Sequence, residues 1–194
     1  SGAGTQHRQG AAMSGIGEAA AVAGGPIVQM CWAVESIERA VPAWVESVGA
    51  GPFFLAAHIQ FGNLTYRGRA ATLDQSSAVG QWGGVQLELL EQHCQSPSGV
   101  LEMRAAGQTG LQHVTWFSDD LDAETARMAG LGFQEVMTAT LPVMGGMRIA
   151  WFDARALLGC MVEVYEESDL MRRFYRRVAR AADGWDGSDP LRPL

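Results

Sequence analysis

The chain of 194 residues contains no lysine, only three cysteines and no apolar run long enough to span a bilayer. Its arginines are outnumbered by acidic residues, and the net charge of -7 argues against a nucleic-acid-binding protein, which needs a basic face. An odd, sparse cysteine set favours a reducing compartment over a disulfide framework. The first residues also lack a signal-peptide pattern. We therefore expect a cytoplasmic protein with neither nucleic-acid nor membrane partners.

The composition is that of an ordinary globular protein, with 47% hydrophobic and 18% charged residues. Its beginning is rich in Gly and Ala with little periodicity, which predicts a flexible arm. Changes in pattern further along the chain divide it into modules. The predicted segments are a flexible N-terminal arm (1–24), a first module (25–91), a linker (92–110), a second module (111–166) and a C-terminal helix with its tail (167–194).

The first module begins with a β-prone run from Pro26 to Val34. Ser36 is a good N-cap for the amphipathic stretch that follows, and Gly49 suits the end of that helix. Pro42 within it predicts a kink or a later start. Three further strands are predicted at 51–58, 65–79 and 84–91.

The same series then restarts, with a strand at 111–117, a helix capped by Asp120 and strands at 133–140, 147–153 and 158–165. The segment Gln29-Met-Cys-Trp32 aligns with His113-Val-Thr-Trp116, and Val85–Glu91 aligns with Cys160–Glu166. Because one half of such a repeat cannot close a core alone, the pattern predicts two paired βαβββ modules. Ser168 is placed to cap one last helix.

Strand alternation places one polar side chain from the first strand of each module and one carboxylate from its last strand on a common side of the sheet. These four residues are Gln29, Glu88, His113 and Glu163, while the opposite faces of the two last strands are aliphatic and should meet the helices. Buried carboxylates are costly unless they are paired or metal-bound. An amide oxygen, an imidazole and two carboxylates suit a divalent ion such as Zn, Ni, Co, Mn or Fe(II).

Each residue also has a plainer interpretation when it is considered alone. A strand glutamate is commonly a solvated outer residue, and a lone histidine is commonly a hydrogen-bonded structural one. His58 and His93 have no repeat partner, so they are interpreted as surface or rim residues. Cys31 shares the strand face of Gln29 but is interpreted as a small buried hydrophobe. The arginines after Ser168 indicate a solvated helix face.

The motifs Gln29-Met-Cys-Trp-Ala-Val34 and Gly110-Leu-Gln-His-Val114, with the two closing strands, resemble the vicinal oxygen chelate superfamily. This superfamily includes glyoxalase I, methylmalonyl-CoA epimerase, extradiol dioxygenases and bleomycin-resistance proteins. The resemblance implies an α+β fold in which paired βαβββ modules form an open, barrel-like mixed sheet around a metal. Its ligand positions fall on Gln29, Glu88, His113 and Glu163, a set similar to that of zinc-type glyoxalase I. The stretch from Trp44 to Phe54 is closer to the broad glyoxalase-like subgroup.

The resemblance further implies a metal-dependent lyase, isomerase or epimerase that acts through a metal-stabilised enolate on a small carbonyl compound or thioester. Zinc is the first choice of metal. Glu163 is the first candidate base and Glu88 the second, and Tyr165 could donate a hydrogen bond to the substrate. The alternatives are an Fe(II) dioxygenase and a metal-free small-molecule sequestration protein. We also expect a homodimer.

Overall fold

The computed structural model describes residues 24–103 and 109–194. The predicted N-terminal arm, except Gly24, lies outside the described residues, as do residues 104–108 of the predicted linker. The strands are β1 Gln29–Ala33, β2 Phe53–Ala56, β3 Gly62–Tyr66, β4 Arg69–Ala70, β5 Gln75–Trp82, β6 Val85–Gln92, β7 Gly110–Ser118, β8 Gln134–Leu141, β9 Met147–Asp153, β10 Met161–Glu166 and β11 Leu191–Pro193. The α-helices are α1 Ile37–Val48, α2 Gly99–Met103, α3 Leu121–Gly130, α4 Arg155–Leu158 and α5 Asp169–Ala182.

In the described ranges the strands form one mixed sheet in the order β11-β2-β5-β6-β1-β7-β10-β9-β8-β3-β4. Each half repeats one pattern, because β1 lies parallel to β6 as β7 lies parallel to β10. The halves join through the antiparallel pair β1 and β7. The predicted α+β fold with two paired βαβββ modules is therefore confirmed.

The sheet curls without closing. Strands β2 and β3 lie near opposite ends of the strand order, yet only residues 57–61 connect them. A connection of this length spans at most about 20 Å, so the two ends must come near each other. The result is an open, barrel-like sheet with a concave inner face.

The single strand predicted at 65–79 is wrong, because this stretch contributes to β3, β4 and β5. Arg67 and Gly68 have φ angles of 48° and 72°, which make a two-residue hairpin turn between β3 and β4. Strand β3 then crosses to the second half and pairs with β8, where the hydroxyls of Thr65 and Thr138 lie 2.7 Å apart. The first module therefore extends the sheet of the second.

The helix ends follow the predicted capping residues. The Ser36, Asp120 and Ser168 side chains each accept a hydrogen bond from a backbone N–H of the helix that follows. Helix α1 runs through Pro42, so the later start was wrong. The strand predicted at 158–165 begins only at Met161, since the short helix α4 precedes it. Strand β11 was not predicted.

Helices cover both faces of the sheet. Leu87 and Leu89 pack against α1, and Val162 and Val164 pack against α3, as the aliphatic strand faces predicted. Helix α5 lies on the concave face, where Phe174 and Val178 contact Phe54 and Val79. Val79 is the cross-strand partner of Glu88, so the last helix covers the side on which the predicted ligands lie. Across the described residues, no helix is long and apolar enough to cross a membrane.

Candidate metal centre

Four adjacent strands, β6, β1, β7 and β10, carry the predicted ligands on the concave face. Cys31 lies between its direct cross-strand partners, Glu88 and His113. Thr115 lies in the same way between Gln29 and Glu163. Directly paired residues share a face of the sheet, so these side chains point into one space.

Two glutamates from opposite halves meet at one imidazole. His113 Nε2 lies 3.0 Å from Glu163 Oε2 and 3.5 Å from Glu88 Oε2. The exposed fractions of His113, Glu163 and Glu88 are 0%, 3% and 6%. Among the described residues, His113 is the only ion-pair partner of either carboxylate. The buried group therefore carries more negative than positive charge, and a divalent cation would correct this.

The hydrogen bonds of this group leave two atoms aimed at the space between the side chains. His113 Nδ1 contacts the Gln112 side-chain oxygen, which can only accept, so Nδ1 carries the proton. Glu88 Oε1 accepts a hydrogen bond from the Ser77 hydroxyl. His113 Nε2 and Glu88 Oε2 have no hydrogen-bond partner among the described residues, although Glu163 Oε2 lies 3.0 Å from Nε2. An imidazole nitrogen beside carboxylate oxygens is an arrangement that can hold a divalent metal ion.

The pKa values reflect the same unbalanced charge. Burial alone lowers the pKa of His113, but contact with Cys31 and the negative charge of Glu163 outweigh it and hold that pKa well above its usual value. Burial alone raises the pKa of Glu88, but the neighbouring His113 ring and the hydrogen bond from Ser77 lower it. Positive charge at this position is therefore favoured, whether a proton or a metal ion supplies it.

The Thr115 hydroxyl lies between Gln29 and the Glu163 carboxylate. The side-chain oxygen of Gln29 is 3.3 Å from the hydroxyls of both Thr115 and Tyr165, and its amide nitrogen donates to Gln86 Oε1 at 2.9 Å. Thr115 Oγ1 also lies 3.3 Å from Glu163 Oε2. The single proton of the Thr115 hydroxyl cannot be donated to Gln29 and Glu163 at once, so one of these two oxygens is free to bind another donor or an ion. The ligand role of Gln29 stays a prediction.

Cys31 is a possible ligand that sequence reasoning set aside. Its sulfur and the ligand atoms of Glu88 and His113 all lie within 4.8 Å of one another. Burial, followed by the charge of Glu88, raises the pKa of Cys31 to about 12, so the thiol is protonated at neutral pH. The sequence did contain a signal for this position, because Cys31 follows Gln29 by two residues and strand alternation places both side chains on the same face.

A cavity opens beside the carboxylates. Glu88, Glu163 and Tyr165 line about 460 Å³ of space, part of it open to solvent, whose remaining wall is largely apolar. An adjoining cavity shares Glu88 and Tyr165 and reaches Gln29 and, on α5, Phe174 and Tyr175. No arginine lines either cavity among the described residues. The space therefore suits a small, largely apolar ligand with a polar group near the carboxylates.

Comparison with known proteins defines the class. The profile of the Glyoxalase/Bleomycin resistance protein/Dioxygenase superfamily matches residues 28–151, and the chain belongs to this superfamily. A hypothetical protein from Bacillus halodurans C-125 is similar in structure, with 18% identity, coverage of 74% of this chain and 95% of that one, and a TM-score of 0.50. Methylmalonyl-CoA epimerase from Mycobacterium tuberculosis is similar at 15% identity, with 76% and 91% coverage and a TM-score of 0.51. These likenesses show the fold. No curated protein sequence matches significantly.

Proposed function

We propose that this protein is a metal-dependent isomerase, epimerase or lyase that removes a proton next to the carbonyl group of a small carbonyl compound or thioester. The observation that supports this most is the meeting of Glu88 and Glu163 at His113 Nε2 in a buried, negatively charged group. The epimerase from Mycobacterium tuberculosis shares the fold, so an epimerase is one member of the proposed class.

His113, Glu88, Glu163 and Gln29 would hold the ion, with zinc as the first choice and Ni, Co, Mn or Fe as alternatives. When bound, a divalent ion supplies Lewis-acid stabilisation of negative charge on a substrate oxygen. Glu163 is the proposed base, because it lines the cavity and its carboxylate is held only loosely. Apart from His113 at 3.0 Å, its nearest polar neighbour is the Thr115 hydroxyl at 3.3 Å. Glu88 is the second choice, since the Ser77 hydroxyl already holds one of its oxygens.

Tyr165 is the proposed hydrogen-bond donor to the substrate. Burial, together with the charge of Glu163, raises its pKa well above the usual value, so the hydroxyl keeps its proton. That hydroxyl lies at the boundary of both cavities and makes only a long contact, 3.3 Å, to Gln29. A substrate oxygen could therefore replace Gln29 as its acceptor at small cost.

The deciding experiment is elemental analysis of the purified protein with its His113→Ala and Glu163→Ala variants. We expect divalent metal in the unchanged protein and one equivalent less per chain in both variants. Glu135→Gln, which alters an exposed glutamate of β8, is the matched control and should keep the metal. Incorporation of solvent deuterium into candidate carbonyl substrates would then identify the activity. Absence of metal even after reconstitution would contradict the proposal.

A metal-free sequestration protein is the second candidate, favoured by the aromatic and apolar cavity wall, which includes Trp151 and Phe174. It predicts tight binding of an apolar or aromatic compound without metal. The Fe(II) dioxygenase is less well supported, because of the histidines that the structure describes only His113 reaches the centre. A homodimer stays a prediction, which light scattering would test.

A further inference from the structure

We propose that His58, Asp74 and His93 form a second binding site for a divalent transition-metal ion, behind the wall of the candidate substrate cavity. The three residues come from separate segments: the 57–61 connection, the segment between β4 and β5, and the residue that follows β6. One nitrogen from each histidine and one carboxylate oxygen lie within 4.8 Å of one another. This inference does not depend on the proposed function.

The three side chains are already gathered and are accessible to an ion. His58 Nδ1 lies 2.7 Å from Asp74 Oδ1, and the two imidazole rings have centroids 4.7 Å apart. The side chains of His58, Asp74 and His93 are 63%, 48% and 26% exposed. Two neighbouring imidazoles gain little from this proximity by themselves, whereas a metal ion between them would bind one nitrogen of each ring.

The backbone holds the segments together at a conformational cost. His58 has a φ of 48°, in the left-handed region that non-glycine residues seldom adopt. Its N–H donates to Ser76 Oγ at 3.0 Å, and the His93 N–H donates to the Asp74 carbonyl at 2.8 Å. Because such a conformation persists only where the surroundings enforce it, the position of the His58 ring is specified by the fold.

Neighbouring groups orient the second imidazole. Ser76 Oγ lies 2.7 Å from His93 Nε2, and Glu91 Oε1 lies 3.4 Å from His93 Nδ1. Glu91 is itself held by the Ile37 N–H at the start of α1. A carboxylate beside one ring nitrogen is the usual support of a metal-ligating histidine, and an ion bound at the other nitrogen would replace the Ser76 hydroxyl there.

The site is distinct from the candidate centre. Ser76 faces away from Ser77, the residue that contacts Glu88, because adjacent strand residues point to opposite faces. Ile59 and Gln75, which follow His58 and Asp74 in sequence, line the cavity beside the candidate centre. An ion at the second site would therefore fix the segments that form this part of the wall. Two imidazoles and one carboxylate suit Zn²⁺, Ni²⁺ or Cu²⁺ and leave positions for water.

Isothermal titration with Zn²⁺ tests the proposal, and the readout is the number of ions bound. We expect the unchanged protein to bind one equivalent more than His58→Ala or His93→Ala, and His113→Ala to retain that equivalent. Asp74→Asn, which preserves shape, should weaken this binding about tenfold or more. Cys94→Ser is the control for a nearby thiol and should leave binding unchanged.

Far-UV circular dichroism of each metal-free variant shows whether it is folded. If the candidate centre binds no metal, the unchanged protein still binds one ion and His58→Ala binds none, so the two proposals fail separately. Equal zinc stoichiometry in the unchanged protein, His58→Ala and His93→Ala would overturn the second site.

Discussion

The Nε2 atom of His113 lies between the carboxylates of Glu88 and Glu163, which approach it from the two halves of the sheet. The antiparallel pairing of β1 with β7 makes this possible, because it brings the last strand of each half within reach of one ring. Folding thus brings two buried carboxylates together around a single basic group. The native state should consequently bind a divalent cation much better than the unfolded chain does.

Zinc should therefore raise the melting temperature of the protein. At about one hundred times the dissociation constant, binding stabilises the native state by about 2.7 kcal/mol, or roughly 5–10 °C for a chain of this size. Differential scanning calorimetry with His58→Ala, which removes the second site, should show this shift. The double variant that carries both His58→Ala and His113→Ala should show little shift in melting temperature. An equal shift in both would place the stabilising ion elsewhere.

The thiols should differ sharply in reactivity. Burial raises the pKa of Cys94, but the hydrogen bond from the Asp74 N–H and bonds from its neighbours outweigh this and lower it. Cys31 and Cys160 are buried, and their pKa values are raised. Iodoacetamide at pH 8 should therefore alkylate Cys94 first, as measured by peptide mass spectrometry. In guanidinium all three should react alike, and early labelling of Cys31 in the folded protein would contradict its described burial.

Acid should weaken an ionic cluster that joins the two halves. Arg67, in the β3–β4 turn, bonds Glu102 of α2, and Arg155 bonds both Glu102 and Asp153. The hydrogen bond from Arg155 lowers the pKa of Asp153 from 3.8 to about 2. Because this pKa is lower in the folded state, its contribution to stability is complete above about pH 4 and is lost as the pH falls towards 2.

Asp153→Asn should accordingly lower the free energy of unfolding at pH 7 by about 1–2 kcal/mol, and by much less near pH 2. Urea unfolding at both pH values measures this difference. Glu35→Gln is the matched control, because its pair with Arg39 is exposed and should contribute little at either pH. An equal loss at both pH values would mean that Asp153 acts through packing rather than charge.

The repeat and the period-two alternation predicted most of the sheet and the shared face of Gln29, Glu88, His113 and Glu163, because both signals are visible in the order of residues along the chain. The crossing of β3 to β8 could not be predicted in this way. It depends on a turn at Arg67-Gly68 without the usual Asn or Asp, and on pairing between residues far apart in sequence. The grouping of His58, Asp74 and His93 could not be predicted for a related reason, since each lies on a different segment and none has a repeat equivalent.

The last helix carries a group whose role the repeat could not indicate. The hydroxyl of Tyr175 is buried, lacks a hydrogen-bond partner among the described residues and belongs to a side chain that lines the second cavity. An unsatisfied buried hydroxyl costs about 1–3 kcal/mol, whereas a ligand that accepts its hydrogen bond would recover this. Tyr175→Phe should therefore raise the free energy of unfolding of the ligand-free protein by about 1 kcal/mol and weaken ligand binding.

The matched control is Tyr66→Phe, because the Tyr66 hydroxyl donates to Glu102 at 2.8 Å and its loss should destabilise the protein. Urea unfolding of both variants shows whether each substitution raises or lowers the free energy of unfolding. Titration with an apolar carbonyl compound that the unchanged protein binds gives the change in affinity. A purely structural Tyr175 would make its Phe variant less stable with unchanged affinity. Opposite signs for Tyr175→Phe and Tyr66→Phe, with weaker binding only in the former, would instead assign the Tyr175 hydroxyl to ligand recognition.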